Sequence, residues 1–65
     1  MTKKFQKGRK YFSHSAHSIV FFVETISTRK GVAYVFEDIC DERIIRTQVE
    51  AEKDIVDYAD YKAGR

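Results

Sequence analysis

Few residues of this 65-residue chain have the types and spacing for chemistry. His14 and His17 stand three apart, a separation at which two imidazoles can share a metal, with Cys40 or Asp41 to complete the set. Structural zinc sites pair Cys or His at both ends, and the second pair is missing here. The two histidines therefore read as members of the polar loop 13–18 (SHSAHS), and neither a metal nor a cofactor is expected. The same histidines and Cys40 also suggest a base and a nucleophile. Nothing in the sequence supplies an orienting group or an oxyanion site, and Asp38, Asp41 and Glu42 beside Cys40 disfavour its thiolate. Those acids read as a solvated turn, and so short a chain has little room for a pocket of ~300 Å³. No catalytic residue is expected, and the chain reads as non-enzymatic.

Binding chemistry is better represented. Residues 1–31 hold seven cations against Glu24, whereas residues 32–65 hold five cations against nine carboxylates. Phe5, Lys7, Arg9 and Tyr11 alternate aromatic and cation along one side of a first strand, with Lys3, Lys4 and Lys10 close by. Converging cations attract phosphate, and neighbouring aromatics add sequence-tolerant stacking. The expected surface for nucleic acid or another acidic partner is thus Lys4, Lys7, Arg9, Lys10 and Tyr11, joined by Arg29 and Lys30 if that turn shares their end of the sheet. Two competing readings are edge protection by lysines and mutual neutralisation of the two halves. The second functional reading is a protein-binding accessory, an inhibitor, adaptor or phage-type regulator. It would act through a sheet edge or the acidic C-terminal segment, with Asp54, Asp57, Asp60 and Tyr61 as contacts. A homodimer is compatible with either.

The elements that must position these groups are legible from periodicity. Residues 4–12 read as strand one, with Gly8 as a bend. Ile19 to Ile26 is apolar on both alternating faces, and Val32, Tyr34 and Phe36 line one face of the next run. The five residues Ser27 to Gly31 between them give a β-hairpin with a G1-type bulge. Residues 37–42 (EDICDE) form a turn anchored by Ile39, and a short strand follows at 43–47. Thr47-Gln48-Val49-Glu50 is a capping box, after which Ala51, Ile55, Tyr58, Ala59 and Lys62 recur at helical spacing. A helix over about 50–62 follows.

The expected fold is mainly β with a C-terminal helix, a four- to five-stranded antiparallel meander forming one small domain over residues 1–65. Strand two is apolar on both faces, so the sheet must curl, be covered by the helix, or be covered by a partner. In strand number and length the arrangement resembles the small SH3-like barrels, whose members bind peptides, modified tails or nucleic acids. The run Lys30 to Phe36 (KGVAYVF) resembles the RNP1 motif of RNA-recognition domains but has Val32 and Glu37 at aromatic positions. Its order with Phe21 and Phe22 echoes cold-shock barrels, which lack a preceding strand and loop. The run is read as an ordinary hairpin arm. A lone Cys40 permits no internal disulfide and fits a reducing cytoplasm. No apolar stretch nears the ~20 residues of a membrane span, so no membrane association is expected.

Overall fold

The structure, a computed structural model, describes residues 5–64. Lys3, Lys4 and Arg65 lie outside the described residues. Five strands form one antiparallel sheet in the order β4-β3-β2-β1-β5: β1 Lys10–Ser13, β2 Ser18–Thr28, β3 Gly31–Asp38, β4 Arg43–Thr47 and β5 Ile55–Asp57. Two short helices, α1 Gln48–Asp54 and α2 Tyr58–Lys62, flank β5. The mainly β class and the antiparallel meander are as the sequence implies.

Alternation sorts each strand into an inner and an outer face. Tyr11, Val20, Phe22, Tyr34 and Phe36 point inward and pack with Ala51 of α1 and Ile55 of β5. Phe5, ahead of β1, enters the same cluster. Its ring centroid lies 5.1–5.9 Å from those of Tyr11, Phe22, Tyr34 and Phe36. Tyr11 and Phe36 sit on strands separated by β2, where a flat sheet would hold backbones ~9.5 Å apart, yet their rings approach to 6.3 Å. The sheet therefore curls about this aromatic cluster. Among the described residues its edges β4 and β5 do not pair with each other. The seam is instead filled by α1 and bridged by Arg46 of β4, whose Nε lies 3.7 Å from Asp54 Oδ2.

Several local expectations are corrected. Strand one is shorter than 4–12 and begins at Lys10, because Arg9 N–H donates to Gln6 O in a turn that places Gly8 at φ +82°. The hairpin turn is tighter than five residues: Thr28 pairs with Gly31, and only Arg29 and Lys30 lie between them. The irregularity falls instead between Phe22 and Glu24, where the register with β3 shifts by one residue. Such a bulge bends the strand and increases its twist, which suits a sheet that must curl. Ile39 does not anchor its turn and is 70% exposed; Asp38 does so by accepting from the N–H groups of Cys40 and Glu42.

The expected helix over 50–62 is interrupted. The Thr47/Glu50 capping box forms, with Thr47 N–H donating to Glu50 Oε1 and Glu50 N–H to Thr47 Oγ1. The helix then stops at Asp54. Ile55 and Val56 are β-branched, and Asp57 is a strong N-cap type that accepts from Ala59 N–H. The free edge of β1 offers Tyr11, Phe12 and Ser13 as partners for Asp57, Val56 and Ile55. Backbone pairing there wins over one continuous helix.

Candidate nucleic-acid interface

The break between α1 and α2 turns the C-terminus back over the outer face of β1. Lys10 and Phe12 occupy that face, two residues apart. Tyr61 of α2 lies flat on Phe12, with ring centroids 3.8 Å apart and planes at 10°. Phe12 is buried beneath it, while Tyr61 remains 42% exposed. Tyr58, three residues earlier on the helix, holds its ring centroid 6.3 Å from that of Tyr61. Lys10 Nζ and Lys62 Nζ stand 5.7 and 5.8 Å from the Tyr58 ring centre, both within cation–π range. His14 meets the edges of Phe12 and Tyr61 at 5.4 and 6.1 Å. Aromatic surface and exposed ammonium groups thus share one face of β1 and α2.

Two carboxylates, Asp57 at the end of β5 and Asp54 at the end of α1, are committed to holding the C-terminal segment against β1. Arg9 Nε donates to Asp57 Oδ2 at 2.5 Å. The hydrogen bond from Arg9 and that from Ala59 N–H keep the Asp57 carboxyl below its ordinary range, and the bond to Asp57 raises Arg9 in turn. At the far side of β1, Asp54 receives Ser13 Oγ at 2.7 Å, Ser15 N–H at 2.6 Å and Ser15 Oγ at 2.9 Å. Burial works to raise Asp54, but these donors and the nearby Arg46 outweigh it and hold the carboxyl below its ordinary range. Arg46 also donates to Ser15 Oγ at 3.1 Å.

The expected binding residues therefore separate. Lys10 lies on the aromatic face, and Lys7 is exposed at a single bridge to Phe22. Lys4 is outside the described residues. Tyr11 is corrected outright as a contact: it is 5% exposed, its ring faces the inner cluster, and its hydroxyl accepts from Gln6 N–H. Because β1 starts at Lys10, the alternation that would align Tyr11 with Lys7 and Arg9 does not extend that far. Arg29 and Lys30 occupy the opposite tip of the hairpin. Phe21, the partner of Lys10, is seven strand steps from Thr28, roughly 23 Å along β2. They do not extend the basic face of β1. Of the acidic set, Asp54 and Asp57 serve internal donors, Asp60 lies in the first turn of α2, and Tyr61 belongs to the aromatic face. Sequence reasoning missed Lys62 and Phe12 and set Tyr58 on the apolar stripe of the helix rather than at a contact surface. The Tyr58-to-Lys62 spacing of four was a readable signal, since such pairs share a helix face.

Among the described residues, no three His, Cys, Asp or Glu side chains converge as a metal site, and His17 sits apart in a turn at φ 51°. No helix among the described residues is long and apolar enough to cross a membrane. The fold and this face define a small curled antiparallel β domain with an aromatic, lysine-flanked outer surface. Comparison of the chain with protein-family models, with curated proteins and with solved structures finds no match.

Proposed function

We propose that this chain is a non-catalytic binding module that holds single-stranded nucleic acid on the face formed by β1 and α2. The observation that carries the reading is Tyr58, with Lys10 and Lys62 beside its ring and the exposed ring of Tyr61 next to it. Unstacked bases lie on aromatic rings whatever their identity, and ammonium groups beside the rings meet the phosphates. Single strands suit this surface better than duplex, whose bases are already stacked. A catalytic role has less support. General acids and bases work with pKa values near the operating pH, whereas Asp54 and Asp57 are displaced away from it by structural hydrogen bonds. The same commitments weaken the acidic surface as a docking site for a protein.

The test is fluorescence anisotropy with labelled single- and double-stranded oligonucleotides across a salt series. Binding to the single strand should weaken as salt rises, and each lysine–phosphate contact should contribute about 0.7 to the log–log slope. Lys10→Ala with Lys62→Ala should flatten that slope. Tyr61→Ala should weaken binding about 5- to 150-fold, the range for one stacked base. Absence of binding at low salt, or a slope indifferent to both lysines, refutes the reading and moves the search to a protein partner.

A further inference from the structure

The aromatic face continues past Tyr61. Lys10 and Phe12 point outward from β1, and His14, next in the same alternation, follows just beyond the end of the strand. His14 is exposed, and its imidazole stands at 82° to the Phe12 ring and at 72° to the Tyr61 ring. Its backbone is fixed from α1: His14 N–H donates to Asp54 O at 3.1 Å, and Ser13 and Ser15 on either side both bond the Asp54 carboxylate. Successive contacts then order the face as Lys10 and Lys62, Tyr58, Tyr61 and His14. Lys10 and His14 are separated by roughly 14 Å of extended chain. The charged groups around the imidazole already serve other partners. Asp54 of α1 accepts from Ser13 and Ser15, and Arg46 of β4 lies against that carboxylate and donates to Ser15 Oγ. On α2, Asp60 acts on Arg9 at the other end of β1, and Lys62 stands over Tyr58. His17 shares the turn but sits apart from the rings.

We propose that His14 is a further contact of the single-stranded ligand, taking a backbone phosphate beyond the base on Tyr61 when its imidazole is protonated. The inference rests on the reading of this face as a single-strand platform and adds its far end. Two stacking rings with ammonium groups at one end leave the next phosphate without a cation. Imidazolium supplies that cation and donates an N–H to the phosphate oxygen as a charge-assisted bond. Neutral imidazole brings a weaker donor and no charge. Histidine is the side chain that ordinarily changes charge between about pH 8 and 5, a window in which carboxylates ordinarily stay ionised. Asp54 and Asp57 are held below the ordinary range by their donors, so the turn and the C-terminal segment stay in place as His14 gains its proton. The site therefore tightens on its ligand as the medium acidifies, with the fold intact.

Fluorescence anisotropy with labelled oligothymidylate at about pH 7.5 and 5.5 tests the inference, because thymine takes up no proton over that window. The wild-type chain should bind about 3- to 5-fold more tightly at the lower pH, the upper range for one exposed ion pair. Its log–log salt slope should steepen by about 0.7, one added phosphate contact. His14→Gln should lose both changes, and His14→Lys, charged throughout, should show the steeper slope at both pH values. His17→Gln should respond as wild type does. Circular dichroism at both pH values confirms that each variant keeps the fold. Binding with the same affinity and slope at both pH values overturns the role of His14 and leaves the platform standing. An acid response that survives His14→Gln also overturns it, because the added charge then lies elsewhere. Absence of binding at either pH overturns the platform and this contact together.

Discussion

Replacing Asp54 by Ala should open the seam of the curled sheet. Its carboxylate accepts from Ser13 Oγ, Ser15 N–H and Ser15 Oγ and lies beside Arg46, so four groups from β1, the following loop and β4 meet at one side chain. Ser13 is fully buried, and its bond to an ionised partner contributes about 1.5–2 kcal/mol. Water can replace Asp54 at the exposed Ser15 groups, so those bonds add about 0.5 kcal/mol each. The ion pair with Arg46, partly exposed, adds about 0.5 kcal/mol. The loss is then roughly 3 kcal/mol, a large fraction of what a domain this small commands, and a fall in Tm of roughly 12–24 °C. Urea and thermal unfolding followed by circular dichroism measure it, and a double-mutant cycle with Ser13→Ala should return a coupling of about 1–2 kcal/mol. Acid supplies an independent arm. The folded chain holds Asp54 below its ordinary value, so the unfolded state binds the proton more readily. The stabilisation is complete above the unfolded pKa near ~3.9 and is lost as pH falls through the lower folded value. Wild type should lose stability below about pH 4 more steeply than Asp54→Ala. A loss under about 1 kcal/mol, a coupling below about 0.3 kcal/mol, or identical acid profiles would refute the seam.

Two further substitutions test the interior and the hairpin. Phe5→Ala should cost about 2–3 kcal/mol by denaturant unfolding, less than a fully buried phenylalanine, because Phe5 meets four rings but is only half-buried; Phe5→Leu should recover a large part. Gly31→Ala should cost about 1–3 kcal/mol in the same assay, because φ is +117° there and a Cβ would meet no atom within 4 Å. That strain is purely of the backbone, so Gly31→Ser should behave alike.

Where a signal was local, the sequence was sufficient. The apolar alternation around Phe22 and Phe36 set the central hairpin, and Thr47 with Glu50 set the start of α1 to within a residue or two. The interruption at Ile55 was not readable in the same way. Its helical spacing is real, but the residues that outbid the helix, Tyr11 to Ser13, lie more than forty positions away and present an edge only after β1 has folded. Phe5 resisted reading for a similar cause, since its value comes from four rings gathered by three different strands. The candidate site shows both cases. Tyr58 and Lys62 were paired by helix spacing alone, whereas Lys10 reaches the same ring only because β5 docks on β1. The cation alternation around Arg9 and Tyr11 misled because it assumed a strand where Gly8 makes a turn.

The position of β1 between β2 and β5 also sets an order of events in folding. Strands β1 to β4 join their neighbours through short connections, whose closure costs little. Ser13 meets Ile55 across about forty residues, and closing a loop of that size costs roughly 3 kcal/mol before any contact repays it. The meander therefore has reason to assemble first, with one side of β1 left without hydrogen-bonded partners until the C-terminal segment arrives. During that interval β1 is a template for any passing strand. A chain arrested before residue 55 would retain most of its sheet while losing the strand that seals it. Its hazard would be aggregation through that uncapped edge.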